Sequence, residues 1–172
     1  MVQVSEKAPN FKMQALMGQE FKDVKLEDFK GKWLVMFFYP LDFTFVCPTE
    51  ITAFRDAYDK VKELNGEMLA ISVDSVFSHL AWTKDIGELP FPWASDITKK
   101  ASADYGVLLE KEGISLRGLF IVDPEGTIRY QLVHELGVGR SVDETLRVLG
   151  ALQTGELCPA NWNPGDTTLG KA

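Results

Sequence analysis

The sequence predicts an α/β fold in which a central mixed β-sheet is flanked by helices. Two apolar runs bounded by turn residues indicate buried strands, and each is followed by a segment with helical spacing or a helix cap. A later pair of strand-like segments is joined by Pro-Glu-Gly, which suits a tight turn between antiparallel strands. Strand–helix–strand–helix followed by a hairpin and a helix is the order expected of an α/β sandwich.

The first strand is predicted at 32–39, because KWLVMFFY is a nearly continuous apolar run between Gly31 and Pro40. Such a run is typical of a strand that is buried on both faces. The segment after Pro48 is predicted to be helical, and Asn65-Gly66 is expected to end it. Its apolar residues have helical spacing: Ile51, Phe54, Tyr58, Val61 and Leu64.

The second buried strand is predicted at 67–74, with the sequence EMLAISVD. Ser75 follows it and is expected to cap a helix that continues to about Ile86, since a serine hydroxyl accepts from a free backbone amide. A short extended piece is predicted at 90–96, and a brief helix is predicted around 97–104.

The hairpin is predicted from RGLFIVD at 117–123 and TIRYQLVH at 127–134. Ser141 and Glu144 have the spacing of a capping box at the start of the last helix. One face of that helix is apolar, with Val142, Leu146, Leu149 and Leu152. The segment from Thr154 is rich in Gly, Pro, Asn and Thr, so it is expected to be a poorly packed, flexible arm unless a partner surface holds it.

Length and charge limit the possible classes of protein. A chain of 172 residues suggests one domain, which we divide into a folded body over 1–153 and the arm over 154–172. The formal net charge of −7 argues against nucleic acid as a partner, because phosphate binding needs clustered Lys and Arg. No apolar run is long enough to span a membrane, and the first residues do not have the pattern of a secretory signal. We therefore expect a cytoplasmic location.

Cys47 and Cys158 are the only cysteines, and His79 and His134 are the only histidines. No two of these four residues are close in sequence, whereas structural zinc sites use paired spacings such as C-x-x-C. The GVGR segment lacks the full glycine pattern of a dinucleotide site. We expect neither a metal nor another cofactor, which leaves two inert thiols or a redox pair.

Cys47 follows a buried strand by a short loop and precedes a helix with Pro48 and Glu50 in its first turn. Free amide groups and the positive end of the helix dipole favour a negative charge there, and hence the reactive thiolate form. Cysteine is also among the most buried residue types. By position alone, therefore, a buried packing residue is the modestly favoured alternative.

Three segments resemble the peroxiredoxins of the typical two-cysteine class, such as the peroxidase subunit of alkyl hydroperoxide reductase. Pro40, Thr44 and Cys47 form a P-x-x-x-T-x-x-C pattern within YPLDFTFVCPTEI, which resembles the active-site segment of the family. RGLFIVDPEGTIRY at 117–130 resembles its catalytic-arginine strand, and LCPANWNPG at 157–165 resembles its resolving-cysteine arm. The resemblance covers nearly the whole chain and implies a thioredoxin-like fold.

The resemblance implies roles for four residues near the first cysteine. Cys47 is similar to the peroxidatic cysteine, whose thiolate attacks a peroxide and becomes a sulfenic acid. Thr44 would place its hydroxyl near the sulfur and the peroxide, and Pro40 would shield the thiolate from water. Arg117 would hold both the sulfur and the leaving oxygen, since a planar guanidinium can donate to two acceptors. As alternatives, Thr44 would serve loop packing and Pro40 would end the strand.

Three further residues have implied roles. Glu50 and Arg140 match a polar network that orients the catalytic arginine, although Glu50 could serve only the helix N-terminus and Arg140 could simply precede the capping box. Cys158 is similar to the resolving cysteine, which attacks the sulfenic acid and forms a disulfide. The resemblance places it in the other subunit of a dimer, whereas the sequence itself leaves an intramolecular bridge open. For either bridge to form, the first helical turn around Cys47 would have to unwind and expose the sulfur.

The implied activity is reduction of hydrogen peroxide and organic hydroperoxides, with electrons from thioredoxin or a thioredoxin-like flavoprotein reductase. The implied assembly is a homodimer, and the resemblance favours a decamer of five dimers. A redox-switched holdase or scaffold built on the same oligomer is the alternative function. A general disulfide oxidoreductase is disfavoured, because the chain has no C-x-x-C motif.

Peroxiredoxins that are easily overoxidised resemble one another in a GGLG insert and in a C-terminal helix that carries YF. The matching region of this chain is KDIGELPFPW at 84–93, and the sequence ends at Ala172 without such a helix. We therefore expect a form that resists overoxidation, because rapid local unfolding would let Cys158 capture the sulfenic acid early.

Overall fold

Residues 2–171 are described by a computed structural model, in which helices flank one large sheet. The strands are β1 (Lys12–Met17), β2 (Glu20–Lys25), β3 (Trp33–Phe38), β4 (Gly66–Ser72), β5 (Trp93–Ser95), β6 (Leu108–Leu109), β7 (Ile114–Ser115), β8 (Arg117–Val122) and β9 (Ile128–His134). The helices are α1 (Cys47–Asp56), α2 (Tyr58–Glu63), α3 (Val76–Ile86), α4 (Lys100–Asp104) and α5 (Val142–Thr154), with a 3₁₀ turn at Leu26–Phe29.

Seven strands form the central sheet in the order β2-β1-β5-β4-β3-β8-β9. Strands β3, β4 and β5 run parallel to one another, and β1, β2, β8 and β9 are added in antiparallel pairs. Strands β6 and β7 form a separate two-stranded ladder. The predicted α/β class with a central mixed sheet and flanking helices is confirmed, and so is the antiparallel hairpin of β8 and β9.

Strand β3 is covered on both faces, which explains its unbroken apolar sequence. The ring of Phe37 stacks on Phe54 of α1, with ring centroids 4.3 Å apart. The next residue, Phe38, points to the opposite face and contacts Tyr105, which follows α4, at a centroid distance of 5.6 Å. Both phenylalanines are fully buried. Helices on the two faces of the sheet therefore fix the strand whose end leads to Cys47.

Two local predictions differ from the structure. The single helix predicted after Pro48 is interrupted at Ala57, where a ψ of −3° departs from helical geometry and separates α1 from α2. The Ser141 hydroxyl does cap α5 by accepting from the Glu144 amide at 3.1 Å. The reciprocal bond of a capping box is absent among the described contacts, because the Glu144 carboxylate instead accepts two bonds from Arg147.

The N-terminal hairpin of β1 and β2 has no counterpart in the sequence-based prediction. It turns at Gly18 and Gln19, and Gly18 has a φ of +60° that glycine adopts readily. Strand β1 also pairs with β5, so the hairpin extends the central sheet at one edge. Its short strands mix Lys, Glu and Asp with apolar residues, which weakens the period-two pattern of burial.

Contacts divide the described chain into an N-terminal unit up to Arg140 and a C-terminal unit from Ser141. Within the C-terminal unit, the described arm after α5 has neither helix nor strand, but local bonds order it. The Trp162 indole donates to the Asp166 carbonyl at 3.1 Å, and Arg147 donates to the Trp162 carbonyl at 2.8 Å. The predicted functional division at 153/154 stays a prediction.

Within residues 2–171, no helix has the length and apolar character to cross a membrane.

Candidate active site

Cys47 is the first residue of α1, at the end of the loop that leaves β3. Its side chain is fully buried, with 0% exposure. Pro48 follows in the first turn and supplies no amide group, and no described side chain caps this helix end. The positive end of the helix dipole is therefore not offset by a capping carboxylate or hydroxyl at the position of the sulfur. The sequence predicts Cys47 at the cap or in the first turn of this helix, and in the structure it is the first helical residue.

Arg117 opens β8 and lies against the cysteine. Its Nη1 atom is 3.4 Å from the Cys47 sulfur and also donates to Glu50 Oε2 at 2.6 Å. Its Nε atom donates to the Leu136 carbonyl at 2.8 Å, which fixes the plane of the guanidinium. Because Arg117 is almost completely buried, its charge acts on the sulfur with little screening by water.

Glu50 is the carboxylate that joins the two buried arginines of the site. It is only 3% exposed, and its Oε1 accepts from both the backbone amide and Nε of Arg140, at 2.8 and 2.7 Å. Burial by itself would raise the pKa of Glu50. Hydrogen bonds and the positive charge of Arg140, together with the charge of Arg117, outweigh burial and lower that pKa below its usual range. Glu50 is therefore ionised between two cations.

Arg140 ties this network to the sheet. Its Nη1 donates to the carbonyls of Phe38 and Gly118, at 2.8 and 2.6 Å, so it links the end of β3 to β8. The guanidinium also lies over the rings of Phe37 and Phe54. Burial lowers the pKa of Arg140, and its hydrogen bonds to the Glu50 carboxylate and the negative charge of that carboxylate oppose the change. The structure brings Cys47, Glu50, Arg117 and Arg140 together, as the sequence-based hypothesis requires.

The charges of these four buried groups balance when the sulfur is ionised. Two guanidinium groups and one carboxylate leave one positive charge, and the Cys47 thiolate supplies the matching negative charge. Buried charge is costly unless it is paired. A thiolate is the nucleophilic form of cysteine, and at this position it would have the Arg117 guanidinium as its cationic partner.

Pro40 and Thr44 lie in the loop between β3 and α1. Pro40 is buried and Thr44 is half-buried. The Thr44 hydroxyl donates to the Leu41 carbonyl at 2.9 Å, so its own oxygen remains able to accept a bond. The structure places both residues in the segment directly before Cys47, and their parts in the chemistry stay predictions.

Cys158 belongs to the C-terminal unit, in the described arm that follows α5. Its thiol is free and half-buried, 3.4 Å from the Thr154 hydroxyl and 3.7 Å from the Ala151 carbonyl. These weak contacts hold the sulfur at the end of α5 without burying it completely. Cys47 is also a free thiol, so the structure describes the reduced form of both cysteines.

A buried network around Asp42 was not predicted from the sequence. Asp42 contacts Tyr39, Ser78 and His79, and the last two lie far along the chain in α3. The available signal was a charged residue inside the mostly apolar YPLDFTFV segment.

Over residues 2–171, no group of three or more His, Cys, Asp or Glu side chains is arranged to hold a metal ion.

The site can support attack by a thiolate on an electrophile whose leaving atom becomes negative. The sulfur is the nucleophile, and the Arg117 guanidinium beside it can stabilise the charge that develops on the leaving atom. Glu50 and Arg140 hold that guanidinium in place. The chemistry needs no additional prosthetic group, because sulfur itself can accept an oxygen atom.

Two family models match the chain. The model of the AhpC/TSA family matches residues 4–131, which contain Cys47, Glu50 and Arg117. The model of the C-terminal domain of 1-Cys peroxiredoxin matches residues 151–172, which contain Cys158.

Named relatives and a solved structure agree with these matches. The chain is 56% identical to the mitochondrial thioredoxin-dependent peroxide reductase of Drosophila melanogaster, over 95% of this chain and 74% of that protein. It is 52% identical to the chloroplastic 2-Cys peroxiredoxin BAS1 of Hordeum vulgare, over 96% and 84%. The crystal structure of reduced Plasmodium vivax 2-Cys peroxiredoxin superimposes with a TM-score of 0.94, at 44% identity, covering 98% of this chain and 93% of that one. The predicted thioredoxin-like fold is confirmed by this likeness.

Proposed function

The chain belongs to the AhpC/TSA family and is a peroxiredoxin, a thiol peroxidase, and we propose that Cys47 attacks the peroxide while Cys158 resolves the oxidised product. The observation that carries the first assignment is the position of the Cys47 sulfur, at a helix N-terminus and 3.4 Å from a buried guanidinium. Cys158 lies instead beyond the C-terminal end of α5, where its sulfur contacts the Thr154 hydroxyl and the Ala151 carbonyl. Cys158 lies in the described arm after α5, outside helices and strands, and this position suits a second thiol that moves toward the oxidised Cys47.

In the first step the Cys47 thiolate attacks the terminal oxygen of a hydroperoxide. The S–O bond forms as the O–O bond breaks, and the leaving oxygen takes a proton to become water or an alcohol. Arg117 stabilises the charge on that oxygen, and Glu50 and Arg140 keep the guanidinium in position. We assign the Thr44 hydroxyl oxygen the role of accepting a hydrogen bond from the hydroperoxide, because its own O–H donates to the Leu41 carbonyl. We assign Pro40 the role of excluding water from the thiolate.

In the second step the Cys158 thiol attacks the Cys47 sulfenic acid, which releases water and forms a disulfide. A disulfide needs Cα atoms within roughly 7 Å, while Cys47 is fully buried in the first turn of α1. That turn therefore has to unwind before the bond forms. Thioredoxin or a thioredoxin-like flavoprotein reductase then reduces the disulfide, and the name of the Drosophila relative supports the former.

A non-reducing gel tests the disulfide step and the subunit arrangement together. After one equivalent of hydrogen peroxide, the wild type should give a dimer-sized band, because the bridge joins Cys47 of one subunit to Cys158 of another. Cys158→Ser should lose this band and still consume one equivalent of peroxide. A disulfide-linked species of monomer size would contradict the intersubunit bridge, and a dimer-sized band that persists in Cys158→Ser would contradict the role of Cys158.

Self-association beyond the dimer is supported by exposed apolar side chains in the N-terminal unit. Phe77 and Ile97 are 68% and 63% exposed and line one shallow surface depression. Isolated exposed apolar residues are common, whereas a cluster suits an interface. We propose that copies of this chain cover these residues in a decamer of five dimers.

Replacing Phe77 by aspartate should therefore lower the molecular mass in solution, because a charge would be buried at each such contact. Sedimentation of the reduced protein measures this mass. Val4→Asp, which also places a charge at an exposed apolar position, is the control and should keep the wild-type mass. A Phe77→Asp variant with unchanged mass would contradict the assigned surface.

The cytoplasmic location stays a prediction, since the named relatives include mitochondrial and chloroplastic proteins.

A further inference from the structure

A buried carboxylate holds the loop that precedes Cys47. Asp42 is only 7% exposed, and both of its oxygens have partners. Oδ1 accepts from the Tyr39 hydroxyl at 2.5 Å. Oδ2 accepts from the Ser78 hydroxyl at 2.7 Å and lies 2.7 Å from His79 Nδ1. The carboxylate thus connects the end of β3 with α3, across the loop that contains the proposed peroxide pocket.

The partners of Asp42 are themselves held in place. The Trp93 indole donates to the Tyr39 hydroxyl at 2.5 Å, and the His79 ring stacks on the Trp93 ring with centroids 4.7 Å apart. The other ring nitrogen of His79 lies 3.3 Å from the Ala94 carbonyl. Strand β5 therefore supports the two rings that face Asp42, and the network has little freedom to move.

The loop backbone is fixed at the same point. The Asp42 amide donates to Asp74 Oδ2 at 2.8 Å, and the same oxygen accepts from the Ser72 hydroxyl at 3.1 Å. Burial and the nearby charge of Asp42 raise the pKa of Asp74. The Tyr39 carbonyl accepts from the Ser115 hydroxyl at 2.9 Å. Bonds from outside the loop thus hold it on either side of Pro40.

The loop depends on these external bonds, because its own conformation is unfavourable. Phe43, directly after Asp42, has a φ of +55°, a left-handed conformation that side chains with a Cβ rarely adopt. Its ring is more than half exposed and contacts Trp82 at a centroid distance of 5.5 Å. Thr44 follows next, so the position of its hydroxyl depends on the geometry imposed at Asp42 and Phe43.

We infer that Asp42 is a positioning residue for the peroxide reaction: held by Tyr39, Ser78 and His79, it fixes the loop that places Pro40 and Thr44 before Cys47. The inference rests on the proposed function, since it concerns the pocket in which the peroxide reacts. It assigns Asp42 no contact with the peroxide or with the sulfur.

Two reactions of the same thiol separate positioning from a general effect on the fold. Reaction with hydrogen peroxide needs a thiolate and also the pocket groups of the loop. Alkylation by iodoacetamide needs the thiolate and access to it, and does not use the hydroxyl of Thr44. Loss of loop geometry should therefore slow oxidation much more than alkylation, whereas general unfolding would expose Cys47 and speed its alkylation.

The test is Asp42→Ala, measured by single-turnover oxidation of Cys47 and by its alkylation across a range of pH. Oxidation should slow by about 10²-fold, which is typical of a reacting group displaced by about 1 Å. The alkylation rate should stay within about twofold at each pH, because the groups around the sulfur are unchanged. Asp23→Ala is the matched control, because Asp23 pairs with Lys12 at the surface, and it should change neither rate.

Two milder variants decide the matter if Asp42→Ala does not fold. Ser78→Ala removes one donor to Asp42, and His79→Phe removes the ring-nitrogen contact but keeps an aromatic ring to stack on Trp93. Each should slow oxidation selectively, by a smaller factor. Wild-type oxidation rates in the folded variants, or parallel loss of both reactions, would overturn the inference. A wild type that fails to react with peroxide through Cys47 would instead overturn the proposed function.

Discussion

Replacing Cys47 by serine should reduce peroxide consumption to the rate seen without protein. Serine has nearly the same shape, so the buried position stays filled, but its hydroxyl is not ionised at neutral pH and cannot attack the peroxide oxygen. Removal of a catalytic nucleophile typically costs on the order of 10⁶-fold in rate. The loss should therefore reach the background of the assay, which can be a peroxide electrode or a dye that reports residual hydroperoxide.

Cys158→Ser is the matched control for this substitution. It should consume one equivalent of peroxide at the wild-type rate and then stop, because only the resolving step is lost. The Cys47→Ser variant also separates the peroxidase from the alternative holdase function, since client binding would not need the thiol. Peroxide turnover that survived in a folded Cys47→Ser variant would contradict the assignment of the nucleophile.

Replacing Arg117 by alanine should slow the oxidation of Cys47 by about 10²- to 10³-fold, the loss typical when one preorganised donor to a developing negative charge is removed. The fold should be retained, because Glu50 keeps its bonds to Arg140. The free energy of unfolding should fall by about 1.5–3 kcal/mol, the usual value of a hydrogen bond to a charged group. Stopped-flow measurement of the single-turnover rate and thermal unfolding check the two parts.

Arg117→Lys refines this experiment, since lysine keeps the charge but loses the planar arrangement of donors. Its oxidation rate should fall between those of wild type and Arg117→Ala. Arg129→Ala is the control, because Arg129 pairs with Asp123 away from the described cysteine site and should leave the rate within about twofold. A wild-type rate in the Arg117→Ala variant would show that the guanidinium does not stabilise the leaving oxygen.

Most elements that lead to the site could be predicted from sequence, because their signals are local. The apolar run of β3 and the proline after Cys47 predict a buried strand, a short loop and a helix with Cys47 at its cap or in its first turn. The structure has this order, and α1 begins at the cysteine itself. The pairing of Arg117 with Cys47 followed from resemblance. The spacing of residues along the sequence cannot by itself predict a contact between two residues that are 70 positions apart.

What could not be predicted depends on contacts between distant segments. The partners of Asp42 in α3 are 36 and 37 residues away, so its burial as a paired carboxylate has no local signature. The interruption at Ala57 arises inside a segment whose apolar spacing continues unbroken from α1 to α2. The pairing of β1 with β5 likewise becomes visible only once the sheet is assembled.

The most direct measurement is the identification of the atom that the peroxide oxidises. The Cys158→Ser variant is treated with one equivalent of hydrogen peroxide in the presence of dimedone, which traps sulfenic acids, and the adduct is located by mass spectrometry. We expect one adduct per chain, on the peptide that contains Cys47. Peroxide consumed while Cys47 remains unmodified, or an adduct found on another residue, would contradict the assignment of Cys47 as the reactive thiol.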